Sequence, residues 1–138
     1  MATYDEIEMT INLLNQSTKK DITLLHCVSI YPAPYDTVNM NVMPVLKKRF
    51  NYPVGFSDHT LGNEASLVAV ALGASIIEKH VTMDRHLPGP DHQASSTIQE
   101  FTQLVKSIRK VEKILGDNIK IFSKEEKGIA DVARKSIT

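Results

Sequence analysis

The sequence predicts an α/β fold, a fragment of a larger β/α barrel made of three parallel strands with flanking helices. Three observations predict it. Helical patterns and short apolar runs alternate along the 138 residues, the order that builds a parallel sheet with right-handed crossovers. The chain opens on a helix and offers three strand signals, too few to close a barrel, so two sheet edges would stay open. Polar residues recur at the C-terminal ends of the strand signals, the edge where β/α architectures place their active sites.

The elements follow in order. Thr3 with Glu6 forms a capping box, and Ile7, Ile11 and Leu14 mark one helical face. The polar stretch 15–20 ends that helix. ITLLHCV, 22–28, reads as a strand buried on both faces. Pro32 and Pro34 make 29–36 a loop leaving it. A helix is expected over about 38–50, with Met43, Leu46 and Phe50 inward and its start blurred by Pro44. PVGFSD, 53–58, is the second strand. Asn63 is the expected cap of an apolar third helix, which Gly73 ends. SIIEKHVT, 75–82, is the third strand, and 83–96 a long loop. Thr97 with Glu100 starts a helix whose buried side carries Phe101, Leu104, Val105, Ile108, Val111 and Ile114; Gly116 follows it. Ser123 with Glu126 starts a last short helix. Nothing in the composition divides 1–138 into two domains.

Composition removes several function classes. The chain is 42% hydrophobic and 23% charged, with 16 basic and 16 acidic residues. That is globular composition, and the charge balance gives no reason to expect a nucleic-acid partner. The longest apolar stretch, 65–74, is interrupted by Ser66 and Gly73 and is too short to span a bilayer. The first ten residues lack the basic and apolar regions of a secretory signal, so a cytoplasmic location is expected. The single cysteine, Cys27, excludes an internal disulfide and reads as core filling. Asn15-Gln16-Ser17 matches a glycosylation acceptor by chance.

The candidate chemistry lies at the strand exits. Strand one ends in His26, Cys27, Ser29 and Tyr31, strand two in Ser57, Asp58 and His59, and strand three in Glu78, Lys79 and His80. His59 and His80 leave consecutive strands. Neighbouring strands lie about 4.8 Å apart, so one metal ion is within reach of both imidazoles. Imidazole suits Mn, Fe, Co or Zn better than Mg or Ca. Two protein ligands leave positions open for water and substrate, as a Lewis-acid site requires. The competing reading makes both histidines hydrogen-bonded lining of an unrelated cleft. Asp58 reads equally as an orienter of an imidazole or a cap of the following turn. Glu78 and Lys79 alternate faces, with ion pairing the simpler reading. The loop residues Asp84, Arg85, His86, Asp91 and His92 either close over a ligand or form a solvated turn. No phosphate-binding glycine loop or dinucleotide fingerprint occurs.

Three segments, LLHCVSIYPAPYDTVNM (24–40), VGFSDHTLG (54–62) and VALGASIIEKHVTMDRHLPGPDHQASS (70–96), resemble signatures of the sialic acid synthase family, and the similarity runs the length of the chain. The family includes N-acetylneuraminate synthases, their 9-phosphate-forming relatives, legionaminic and pseudaminic acid synthases and spore-coat polysaccharide proteins. The resemblance implies the last part of a TIM (β/α)8 barrel, roughly its last three strands, with the first half and a C-terminal antifreeze-like domain absent. It places the family's two metal-binding histidines on His59 and His80, with Mn²⁺ the expected cofactor. A phosphoenolpyruvate contact falls on Ser57, an amino-sugar contact on Asp91 and a pocket tyrosine on Tyr31. Ser29 stands where some members carry asparagine as a phosphoenolpyruvate contact, and its shorter side chain would then act through a water.

The implied reaction is a carbon–carbon bond-forming synthase reaction. Phosphoenolpyruvate condenses with N-acetylmannosamine or a related N-acylated amino-hexose, giving a nine-carbon 2-keto acid and phosphate. The implied full-length protein is a domain-swapped homodimer, and the isolated fragment would be inactive. Three alternatives stay open at this point. One is a legionaminic or pseudaminic acid synthase using a diacetamido-trideoxyhexose. Another is a different metal-dependent barrel aldolase or isomerase, which a third protein ligand would favour. The last is a non-catalytic structural fragment, which imidazoles on opposite faces would favour.

Overall fold

A computed structural model describes residues 1–17 and 21–134. The elements run α1 (Tyr4–Ser17), β1 (Leu24–Cys27), a 3-10 turn at Tyr35–Thr37, α2 (Val42–Phe50), β2 (Val54–Asp58), α3 (Glu64–Ala71), β3 (Ile77–Lys79), β4 (Val81–Thr82), β5 (Ser96–Thr97), α4 (Ile98–Leu115) and α5 (Lys124–Ala133). Strands β1, β2 and β3 form a parallel sheet in that order, as the alternation of helix and strand predicts. The expected end of the first helix within 15–20 falls partly on residues 18–20, outside the described residues.

All three expected capping boxes are formed. Thr3 and Glu6 bond reciprocally at the start of α1, as do Thr97 and Glu100 at α4, and Ser123 and Glu126 at α5. Asn63 departs from expectation. It occupies the N-cap position of α3 but makes no side-chain cap; the Glu64 carboxylate turns back and accepts its backbone N–H at 2.9 Å. Gly73 ends that helix at φ +89°, a conformation that costs glycine little. Pro44 falls in the first turn of α2, where its missing N–H is one of the donors a helix leaves unpaired anyway.

The core lies between the sheet and its helices. Val54 and Phe56 of β2 pack there with Val38, Met43, Leu46, Ala65 and Ala69. Every residue of β2 is buried, because it is the central strand. The expectation that β1 is buried on both faces is corrected: it has β2 on one side only, and Leu25 is 38% exposed. The third predicted strand is also corrected. It breaks at His80, after which β4 leaves the sheet to pair in parallel with β5. On α4 only Leu104 is fully buried, while Val105 and Ile114 are exposed for want of a facing element. Leu104→Ala is expected to destabilise the fold by about 3 kcal/mol through the cavity it leaves, measurable by denaturant titration. No described helix is long and apolar enough to cross a membrane.

Candidate active site

Strand register carries the site. Cys27 pairs with Ser57 across β1–β2; Ser57 pairs with Glu78 and Asp58 with Lys79 across β2–β3. Side chains alternate faces along a strand. Phe56 and Asp58 therefore point into the helix layer, while Ser57 shares the opposite face with the next residue of the same parity, His59. The same alternation pairs Glu78 with His80. One step beyond the last registered pair, His59 and His80 stand side by side, their ring centroids 5.2 Å apart and nearly perpendicular. The Tyr31 ring lies against both, 5.0 Å from His59 and 4.5 Å from His80.

His59 is held through Nδ1, and His80 Nδ1 faces Asp91 beyond hydrogen-bond range. His59 Nδ1 lies 2.9 Å from the Val28 carbonyl oxygen. A carbonyl only accepts, so Nδ1 carries the proton and Nε2 presents its lone pair. His80 Nδ1 is 3.7 Å from a carboxylate oxygen of Asp91. A carbonyl or carboxylate behind the ring is the usual arrangement for a metal-binding histidine. Two rings sharing one ion through nitrogens at about 2.1 Å have centroids on the order of 5 Å apart, so the 5.2 Å spacing of this pair matches that of two imidazoles sharing a divalent ion. Among the described residues no group of three His, Cys, Asp or Glu side chains gathers to hold a metal. The remaining positions would fall to water, substrate or groups beyond these residues.

The other predicted residues divide. Ser57 is buried and donates to the Glu78 carboxylate at 2.6 Å. The Tyr31 hydroxyl lies 3.0 Å from that of Ser95, which donates to the Asp91 carbonyl at 2.7 Å. Burial, with the negative charges of Asp91 and Asp58, raises the Tyr31 phenol above its ordinary value; the Ser95 hydroxyl opposes the shift. Asp91 is 57% exposed at its side chain and keeps most of its carboxylate free beside His80. Ser29 is exposed on the loop after β1, between Val28 and Tyr31. His26 faces the helix layer, where Nε2 lies 2.7 Å from the Val38 carbonyl. The Cys27 sulfur lies 4.0 Å from His59 Nδ1, closer to the site than core filling implies.

Asp58 resolves as the turn cap and ion pair, with Lys79 at 3.0 Å. Much of the loop cluster pairs with itself or with the adjoining helix. Asp84 holds His86 at 2.8 Å, Arg85 reaches Glu100, and His92 Nδ1 lies 2.8 Å from the Thr82 hydroxyl. Three contributors escaped sequence reasoning: the Val28 carbonyl, Glu78 as partner of Ser57, and Ser95, which is 3% exposed. Ser95 lies 64 positions from Tyr31 along the chain, and no local pattern marks it.

Comparisons with known proteins identify the family and the fold. A model of the NeuB family matches residues 1–120. The chain is 48% identical over 139 residues to the N,N'-diacetyllegionaminic acid synthase of Campylobacter jejuni, covering 99% of this chain and 42% of that protein. It is 36% identical over 117 residues to the pseudaminic acid synthase of the same species, covering 85% of this chain and 34% of that one. The crystal structure of the N-acetylneuraminic acid (sialic acid) synthetase of Leptospira borgpetersenii superposes with a TM-score of 0.85 at 36% identity, over 99% of this chain and 47% of that one. The chain thus spans about two-fifths of the length of these curated relatives.

Proposed function

The chain belongs to the NeuB family, and from that premise we propose that it is the later part of the catalytic barrel of a synthase that joins phosphoenolpyruvate to an N-acylated amino-hexose. The observation that carries the proposal is the His59–His80 pair, two imidazoles set side by side at the exit of adjacent parallel strands. The first half of the barrel and a small C-terminal domain would complete the site, the latter by reaching across a domain-swapped homodimer. The isolated segment would then be inactive.

His59 and His80 would hold a divalent ion through Nε2, Mn²⁺ by preference. When bound, such an ion supplies Lewis acidity that polarises the open-chain aldehyde of the sugar. The Val28 carbonyl fixes the His59 tautomer, and Asp91 stands behind His80. Ser57, whose hydroxyl here donates to Glu78, would turn that hydroxyl to phosphoenolpyruvate on the same sheet face. Ser29 would contact it only through a water. The outward part of Asp91 would accept sugar hydroxyls, and Tyr31 would wall the pocket between the two rings. In the reaction, carbon three of phosphoenolpyruvate bonds to the aldehyde carbon, whose oxygen takes a proton. Water adds at carbon two, and the bond from that carbon to the phosphate oxygen breaks. The products are a nine-carbon 2-keto acid and inorganic phosphate. Holding both reactants in register accounts for much of the rate gain.

N-acetylmannosamine is the first substrate to test. A diacetamido-trideoxyhexose is the second reading, favoured by the greater identity to a legionaminic acid synthase than to an N-acetylneuraminate-9-phosphate synthase of Drosophila melanogaster, 48% against 38%. The test is phosphate release from phosphoenolpyruvate by the full-length protein with Mn²⁺ and a panel of amino-hexoses. Metal-dependent release with one sugar is expected. Release with none, from folded and metal-loaded protein, would contradict the proposal. Asp91→Ala is expected to raise KM for the sugar about 10-fold to 100-fold, the loss of one or two hydrogen bonds to a charged group, and to leave KM for phosphoenolpyruvate within about 2-fold. Steady-state kinetics with each substrate varied in turn checks this.

A further inference from the structure

Asp58 and Lys79 form the one ion pair among the described residues in which both side chains are almost wholly buried, 0% and 4% exposed, with Nζ 3.0 Å from Oδ2. The carboxylate is fully engaged. Oδ1 accepts the Thr60 N–H at 2.8 Å and the Thr60 hydroxyl at 2.7 Å; Oδ2 accepts the Ser66 hydroxyl at 2.5 Å. The ammonium also donates to the Thr60 carbonyl at 2.8 Å. The pair therefore joins β2, β3, the turn after β2 and helix α3. It lies on the helix side of the sheet, opposite the candidate site.

Its place in the chain is informative. Asp58 immediately precedes His59, and Lys79 immediately precedes His80. The two are register partners across β2–β3, and they are the last residues of their strands. Beyond them no further β2–β3 ladder pairing exists to fix the backbone at His59 and His80. β3 has only three residues, and β4 departs to another partner. A buried ion pair is a poor source of net stability, since desolvation offsets most of its attraction, but its geometry is specific. A pair of well-packed apolar side chains would fill the same space without tying the turn at Thr60 to β3.

Resting on the two-histidine metal site proposed above, we propose that the Asp58–Lys79 ion pair is a positioning device that fixes the spacing of His59 and His80 from behind the sheet. Asp58 and Lys79 are positioning residues and touch no substrate. Truncating one partner strands a buried charge, so single variants confound folding with positioning. The double variant Asp58→Leu/Lys79→Met removes both charges and keeps the volume apolar; Asp58→Asn keeps the acceptor for Thr60 but leaves the Lys79 ammonium unpaired, so its Co²⁺ affinity counts only where its melting temperature shows it folded.

The test uses the full-length protein loaded with Co²⁺, whose visible absorption reports ligand geometry and whose titration gives an affinity. Melting temperature is measured alongside. Expected is a double variant that folds but melts lower, because the Thr60 N–H and the Thr60 and Ser66 hydroxyls lose their acceptor, and that binds Co²⁺ at least 10-fold more weakly with an altered spectrum. Asp58→Asn is expected to shift the affinity in the same direction. Parental affinity and spectrum in a folded double variant would overturn the proposal, as would parental values in folded Asp58→Asn should the double variant not fold. A parent that binds no Co²⁺, or binds it with the spectrum and affinity of His59→Ala, would overturn the two-histidine site itself, and the positioning role with it.

Discussion

Replacing His59 or His80 by alanine in the full-length protein is expected to lower metal-dependent turnover at saturating substrate by about 1,000-fold or more. The estimate comes from the several kcal/mol that a Lewis acid contributes at a carbonyl, with each 1.36 kcal/mol worth tenfold in rate. The two rings stand 5.2 Å apart, so each variant removes one of two ligands and leaves the other unable to hold the ion alone. Both variants should fold. His59 and His80 lie beyond the strand ends, and neither belongs to the buried apolar core. A readout of folding by melting temperature separates loss of chemistry from loss of structure. Near-normal turnover without added metal would remove both residues from the ligand set.

The second large effect is on stability. Gly55→Val in the full-length protein is expected to destabilise the fold by about 3 kcal/mol or more, at the upper end of overpacking penalties. Gly55 is the second residue of the central strand β2. A Cβ built there would lie 2.5 Å from the Leu25 Cδ2 atom and 2.6 Å from the Ile76 carbonyl oxygen. The leucine end has freedom to rotate. The carbonyl does not, because it accepts the Phe56 N–H at 2.9 Å and so holds β2 to the chain entering β3. Relieving the clash means spreading the strands whose exits carry His59 and His80. Valine adds branched bulk that alanine does not, so Gly55→Ala should fall between parent and valine. Denaturant unfolding checks the order; a valine variant within about 0.5 kcal/mol of the parent would mean that the strand spacing is softer than the contacts imply.

Much of the arrangement is legible in the sequence because it depends on local rules. Reciprocal Thr–Glu and Ser–Glu spacings announce three helix starts, and the alternation of elements announces the parallel sheet. The adjacency of His59 and His80 follows from one further step: equivalent exit positions on consecutive strands become neighbours once the strands pair in register. What stays illegible depends on contacts between distant residues. The break of the third strand at His80 is set by β5, 14 residues beyond β4 in the chain. Asp58 reads equally as an orienter of an imidazole or a turn cap until its face is known; burial against Ser66 and Lys79 decides for the cap. Ser95 and the Val28 carbonyl have no local signature, since one reaches the site across a long loop and the other is a backbone atom. The exposure of Val105 and Ile114 on α4 has a comparable origin. Periodicity marks the face that a helix is built to bury, but whether that face is covered depends on what packs against it.

The most direct measurement follows the bridging oxygen of phosphoenolpyruvate, the one between carbon two and phosphorus. The full-length protein is incubated with phosphoenolpyruvate carrying heavy oxygen at that position, Mn²⁺ and each amino-hexose, and both products are weighed by mass spectrometry. The expected result is a nine-carbon 2-keto acid without the label and inorganic phosphate that carries it, formed with one sugar and dependent on metal. Label retained in the organic product, or phosphate released without a new carbon–carbon bond, would contradict the condensation assigned to this site.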